Sequence, residues 1–392
     1  MKLIELHLLQ SFPVSCLNRD DVGSPKTAVF GGVNRARLSS QSLKRPIRLA
    51  MQEQAPALFA GERSKLIITP LSSRLEKAGI EAERALMLAR AVGTHLATLD
   101  EKAAAKGVEK VKTLMFLSPA ELDSIAKRLA EVPNVSLVSD TQSDEAAPKK
   151  KKKADGSLDI SKVVAKACED VGLKDAADIA LFGRMVASDH SLTVEGAAMF
   201  GHALSTHKAD NDLDFYTAVD DRQKEDPTVS EEDRTGSGMM GTLEFSSAVY
   251  YRYAALNLDQ LFYQKGRDGQ PSANLSSLLG AEHLSTRRQV VDAFIRATLQ
   301  AMPGARKNSM NAHTRPGYVL GTFKSAGQPL QLINAFETPV RSKSGLLDAS
   351  SEAMKAHHGK LKETWGIICD TEVILPEVNL NAFCEALTKH VV

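Results

Sequence analysis

The chain opens on a strand signature. In MKLIELHLLQ, Ile4, Leu6 and Leu8 recur at period two, so one side of an extended segment is apolar. Glu5, His7 and Gln10 break the run, which makes it a poor signal-peptide core and a good strand. Such a strand needs a cover for its apolar side, and the next fifty residues supply candidates. Residues 11–33 read as a long polar loop punctuated by Pro13, Gly23, Pro25 and Gly31-Gly32, and loops of that length inside a domain are usually functional. A short strand at Arg35-Ala36-Arg37-Leu38 comes next. Then a helix capped by Ser39 or Ser40 runs through Leu43, Ile47 and Met51, with Pro46 expected to kink it or shift its start.

Further on, residues 80–106 are Ala-rich with helical spacing, and Ser118-Pro119-Ala120-Glu121 is a capping box with proline at the first helical position. Residues 139–157 are polar and lysine-rich, including Lys149–Lys153. They hold too little apolar surface to offset ordering entropy and read as a disordered loop. Strands are expected at 177–182, within 194–206, over 242–258, near 317–323 and near 330–335. Helices are expected at 282–301, 346–363 and 377–390. Residues 208–241 read as an acidic excursion rather than a core element. The order is that of an α+β fold, and a split βαββαβ sheet carrying a large helical insertion fits it.

Charge is sorted along the chain although the net is +1. Residues 1–50 carry eight Lys/Arg (Lys2, Arg19, Lys26, Arg35, Arg37, Lys44, Arg45, Arg48) against three acids, a local +5. Residues 207–235 carry ten acids against four Lys/Arg, a local −6. A polyanion suits the first surface, and head-to-tail self-association suits the two together.

No phosphate-loop, dinucleotide, zinc-protease or nucleophile-elbow motif is present. Cys16, Cys168, Cys369 and Cys384 show no zinc spacing and read as separate thiols of a reducing, cytoplasmic compartment. His357-His358 point to different helix faces, so no joint metal ligation is expected. Asp210, Asp212, Asp214, Asp220 and Asp221 fail the calcium-loop pattern because Phe215 stands where glycine is required. Neither a catalytic residue, a metal nor a cofactor is expected. The informative segment is the first: Arg19, Lys26, Arg37, Lys44, Arg45 and Arg48 interleave with Asn18, Ser39, Ser40, Gln41 and Ser42. Hydroxyls, amides and a helix N-terminus hydrogen-bond phosphate while the cations neutralise it. Lys44 and Arg48 share a helix face, as do Gln41 and Arg45.

The same residues carry a family likeness. Cys16-Leu17-Asn18-Arg19-Asp20-Asp21, Phe30-Gly31-Gly32 and the run from Arg37 to Arg45 resemble the CasC family. That family is the crRNA-binding backbone subunit of type I-E CRISPR Cascade complexes. Ile179–Met185, His202–His207, Asp212–Asp221, Phe245–Ala248, Tyr251–Ala254 and Asn334–Glu337 match in order, while 60–175 and 265–283 resemble it loosely.

The resemblance implies a hand-like, non-enzymatic subunit. It would have an RRM-like palm (1–60, 178–206, 242–392), helical fingers (61–177) and a protruding thumb (207–241). It implies head-to-tail copies along a guide RNA, beside other Cascade subunits, with target DNA pairing to the guide and no membrane. The implied RNA contacts are Arg19, Lys26, Ser39, Gln41, Lys44, Arg45 and Arg48, with Met185, Phe215 and Tyr216 against a displaced base. Arg341 and Lys343 are the implied DNA contacts, and Lys149–Lys153 is a further candidate on charge alone. The rival readings are a metal-dependent ribonuclease using the thumb aspartates or Asp20/Asp21, and a general single-strand binder.

Overall fold

The computed structural model describes residues 1–131, 159–218, 239–266, 269–270, 272–304 and 306–392. The expected disordered loop at 139–157 with its lysine run, and residues 219–238 of the expected thumb, lie outside them.

The strands are β1 (Leu3–Ser15), β2 (Thr27–Phe30), β3 (Val33–Leu38), β4 (Glu62–Ser64), β5 (Met115–Leu117), β6 (Ala198–Phe200), β7 (Ala203–Ser205), β8 (Asp212–Ala218), β9 (Met239–Asn257), β10 (Tyr318–Lys324) and β11 (Thr371–Leu375). The helices are α1 (Ser40–Gln54), α2 (Ile68–Lys77), α3 (Ala82–Leu96), α4 (Glu101–Ala104), α5 (Pro119–Ala130), α6 (Ile160–Val171), α7 (Ala177–Phe182), α8 (Leu284–Gln300), α9 (Leu346–Trp365) and α10 (Leu380–Thr388).

Among the described residues nine strands form one sheet in the order β11-β10-β1-β9-β7-β3-β2, with β6 and β8 also paired to β9. Every pairing among the described residues is antiparallel. The fold is thus mixed α and β around a large antiparallel sheet. At its centre the order is β10-β1-β9-β7, with α1 between β1 and β7 in sequence and α8 between β9 and β10.

Strand β1 is buried from Leu3 to Gln10 because both sheet faces are covered. Ile4, Leu6, Leu8 and Phe12 join a core with Leu43, Ile47 and Met51 of α1, Val291 and Phe294 of α8, and Phe383 of α10. Leu9, Tyr251, Tyr253 and Tyr318 join a second core closed by Phe336 and by Met354 of α9. The polar residues that break the apolar run, Glu5 and His7, are buried too. Glu5 accepts from the Tyr253 hydroxyl at 2.8 Å and pairs with Lys324. His7 Nδ1 meets the Tyr251 hydroxyl at 2.9 Å.

The helical insertion has its own core of Leu71, Leu75, Leu88, Val92, Ile125, Leu129 and Val164. Strand β5 is the seam: Phe116 belongs to the sheet core, while its neighbours Met115 and Leu117 belong to the helical one.

Several expected elements differ. Residues 177–182 form a helix, not a strand. The short run is buried on every side, so periodicity carries no information there, and Gly183 at φ +82° ends it. Residues 330–335 give way to a 3₁₀ turn at Ile333–Phe336, which caps the second core. The loop expected over 11–33 is shorter, since β1 runs to Ser15 and β2 begins at Thr27. The described part of the acidic excursion is a two-stranded ribbon: Asp212 to Ala218 pair with Phe245 to Met239, and β9 continues from there into the sheet. Pro46 sits inside α1 without shifting its start. The capping box holds as expected: Ser118 Oγ accepts from the Glu121 N–H at 3.0 Å and Glu121 Oε2 from the Ser118 N–H at 2.9 Å.

Candidate nucleic-acid interface

The loop before β2 is built on Asn18. Its side-chain oxygen accepts from the Ser39 N–H at 2.8 Å, and its carbonyl accepts from the Lys26 N–H at 2.9 Å. The start of α1 is thereby fastened to the loop that carries Arg19 and Lys26. Arg19 is exposed and Lys26 half-buried. Asp20 Oδ1 accepts from the N–H groups of Val22 and Ser24 at 3.1 and 2.9 Å, so this carboxylate shapes its own turn. Ser39 is the N-cap of α1 and is buried, yet its side chain makes no capping bond. Gln41 and Arg45 stand exposed on the helix, and Lys44 is half-buried with its ammonium 5.5 Å from the Phe200 ring centroid. Burial, then the charge of Arg63, pulls the Lys44 pKa down.

Arg48 is differently placed. Its guanidinium donates to the Gly61 carbonyl at 3.1 Å and stands 4.0 Å from the buried Asp178 carboxylate. Gln52 donates to the same carbonyl at 2.8 Å, and the Gly61 N–H donates to Asp178 at 3.2 Å. A Cβ on Gly61 would lie 2.6 Å from Asp178 and 2.7 Å from Phe116, so only glycine lets helix, ribbon and carboxylate meet. Burial pushes Asp178 up to about 6, against the opposing pull of Arg48 and of backbone N–H donors.

Arg184 and Met185 differ in burial. Arg184 is buried on Glu121, at 2.7 and 2.8 Å, and donates to the Leu192 carbonyl at 2.8 Å; Met185 is 80% exposed. On the ribbon, Phe215 and Tyr216 occupy opposite faces, as consecutive strand residues must. Phe215 (63% exposed) lies on one face with Leu213 (70%) and Met240 (66%). The ribbon base is tied to the basic loop by Asn211, whose amide reaches the Pro25 carbonyl at 3.4 Å and Glu244 at 3.1 Å.

Arg341 and Lys343 are exposed and form no ion pair among the described residues. Their loop is held by the Val340 N–H on the Thr206 carbonyl at 3.0 Å. It is also held by Arg35, which sequence reasoning counted as a surface cation. Arg35 is fully buried and donates to the carbonyls of Phe30, Ser205, Phe336 and Glu337 at 3.1, 3.1, 2.8 and 3.2 Å. It ties together three of the segments that carry the family likeness, and it must be subtracted from the exposed +5. Sequence reasoning also passed over Arg63, whose only signal is its charge in a loosely matching region.

Among the described residues one group has metal-ligand chemistry, His358, Cys369 and Glu372, with ligand atoms within 4.8 Å of one another. Glu372 is already paired with Lys362 at 2.6 Å. Of the expected acidic cluster, Asp210 pairs with Lys208 at 2.9 Å, Asp212 and Asp214 are exposed on β8, and Asp220 and Asp221 lie outside the described residues. No described helix is long and apolar enough to cross a membrane.

A family model described as "CT1975-like protein" matches residues 4–384. No curated protein matches the chain in sequence. Among solved structures, the chain is similar over its full length, and over the full length of the other chain, to a component of a "CRISPR RNA-guided surveillance complex, pre-nicking". The identity is 28% and the TM-score 0.72. A component of a second "CRISPR RNA-guided surveillance complex" shares the fold at 23% identity, with 99% of each chain covered and a TM-score of 0.64.

Proposed function

This chain belongs to the CT1975-like family, and from that premise we propose that it is a backbone subunit of a Cascade-type, RNA-guided DNA-surveillance complex. In this reading the sheet centred on β10-β1-β9-β7 is an RRM-like palm, the helical insertion supplies the fingers, and the β8–β9 ribbon is the thumb. Copies stack head to tail on a guide RNA beside other subunits of the complex. The guide's base pairing supplies sequence specificity while the protein supplies a cationic track and a shape. The subunit itself performs no chemistry: Asp20 is occupied by its own turn, which weighs against a ribonuclease built on it.

The observation that carries the reading is the likeness, end to end in both chains, to a component of a CRISPR RNA-guided surveillance complex. The geometry agrees with it. Arg19, Lys26, Lys44 and Arg45 line one loop–helix unit, and the exposed apolar residues Met185 and Phe215 are of the kind that touch base faces rather than phosphates.

The test is the mass of the protein bound to single-stranded RNAs of increasing length. Copy number is expected to rise in equal steps. A single copy on every length, or irregular loading, would return the protein to the class of general single-strand binders.

A further inference from the structure

We propose that Arg63, on the β4–β5 ribbon, binds a phosphodiester of single-stranded RNA and completes a four-cation clamp with Lys44, Arg45 and Arg48. This rests on the RNA-binding reading above and assigns a further contact to it, from the helical insertion rather than from the sheet domain.

Arg63 faces Phe116 across the ribbon, and its guanidinium carbon lies 5.1 Å from that ring's centroid. The Arg48 guanidinium carbon lies 5.3 Å from the same centroid. Two cations from separate chain segments thus share one ring. A guanidinium on an aromatic ring keeps its in-plane N–H donors free at the edge, the geometry suited to phosphate. Arg63 also makes itself felt at its neighbours: after burial, its charge helps pull down the pKa values of Lys44 and of Arg48, and Arg45 acts on Arg48 in the same sense.

Little in the protein offsets this gathering of like charge. Among the described residues Lys44, Arg45 and Arg63 form no ion pair, and the buried Asp178 is held by Arg48. Glu62, next to Arg63, points to the other face of the ribbon by strand alternation. The junction is also fixed in advance, since Gly61 packs directly on Asp178 and Phe116. A cluster drawn from two chain segments, in which Arg48 alone has an acid partner, is a site for a polyanion backbone.

The experiment measures affinity of the full chain for an unstructured single-stranded RNA across a salt series. Wild type is compared with Arg63→Gln, Arg63→Lys and Arg45→Ala, with melting temperature as a check on folding. The expected result is that Arg63→Gln and Arg45→Ala each flatten the log–log salt slope by about 0.7, the single-strand value for one lost phosphate, and that Arg63→Lys restores it. A wild-type slope for Arg63→Gln beside a flattened one for Arg45→Ala overturns the Arg63 assignment and leaves the RNA-binding reading standing. Wild-type slopes for both overturn the clamp and the α1 assignment together.

Discussion

The Arg48 guanidinium stands 4.0 Å from the Asp178 carboxylate, and both side chains bond to the backbone of Gly61. A cation of α1 that we propose as an RNA contact is therefore also a strut between α1, α7 and the β4–β5 ribbon. Its charge is partly engaged before any nucleic acid arrives. Arg48→Ala should accordingly lower stability as well as RNA affinity, whereas Arg45→Ala should lower affinity alone. Melting temperature beside RNA affinity for the two variants checks the distinction.

Asp178 and the buried His7 give opposite pH dependences. Burial raises Asp178 from 3.8 to about 6, so between those values the folded state keeps a proton that the unfolded state has lost, and stability falls as pH rises. Burial, then the charges of His358 and Lys324, lowers His7 from 6.5 to about 3. Between those values only the unfolded state gains the proton, so stability falls as pH falls. Each contributes a slope of at most about 1.4 kcal/mol per pH unit, and over the shared window they offset. Asp178→Asn should leave a protein that loses stability steeply on acidification. His7→Gln should shift maximum stability to lower pH. Denaturation midpoints at several pH values across that window decide it, and parallel curves for all three proteins would sink the assignment.

Arg35→Met tests the buried cation. The substitution keeps an unbranched side chain but strands four carbonyls, those of Phe30, Ser205, Phe336 and Glu337. Unfolding free energy should drop by about 3 kcal/mol or more, since each orphaned buried acceptor costs about 1–3 kcal/mol. Arg45→Met, on the exposed side of α1, should change it little. Equal losses for the two would mean that Arg35 behaves as a surface residue.

Arg341→Ala with Lys343→Ala should weaken target-DNA binding and leave RNA-bound assembly and melting temperature unchanged. Both residues are exposed, while the anchors of their loop are Val340 and Arg35. Loss of assembly in the double variant would assign the pair to an interface between copies.

Elements with a strong local signal were legible in the sequence. The period-two run of β1, the Ser118 capping box and the apolar stripe of α8 each dictate their own conformation. Ala177 to Phe182 were not, because a run buried all round carries neither period, and its residues join one core with α1 and the sheet that only the fold assembles. Strands β4 and β5, of three residues each, exist because Phe116 reaches one core and its neighbours another, which is a tertiary fact. The same division holds at the site. Exposed cations such as Arg19 and Arg45 could be read from composition. The burial of Arg35, the pairing of Arg48 and the arrival of Arg63 depend on contacts between segments distant in the chain. Adjacent residues read from sequence as a pair, Phe215 and Tyr216, are parted by the strand they lie on.

That separation gives the sharpest test of the thumb. The Tyr216 ring covers Gly241 across the ribbon, where a Cβ would meet its hydroxyl oxygen and ring at 2.5 to 2.8 Å. Tyr216 is therefore a cross-strand anchor, worth about 0.2–1 kcal/mol to the ribbon. Phe215 faces Thr242 across the ribbon and is 63% exposed beside Leu213 and Met240, so most of its ring is open to meet a base. Phe215→Ala should leave the melting temperature unchanged and remove stacking of about 1–3 kcal/mol per base. Tyr216→Ala should loosen the ribbon while keeping base contact on the other face. Chemical probing of unstacked nucleotides on the bound RNA reads the difference: Phe215→Ala should erase the periodic pattern and Tyr216→Ala should preserve its period. If the two variants erase it equally, the residues act as one unit through the ribbon's shape. If neither changes it, the displaced base is held elsewhere, and Met185, exposed after the buried Arg184, is the next side chain to truncate.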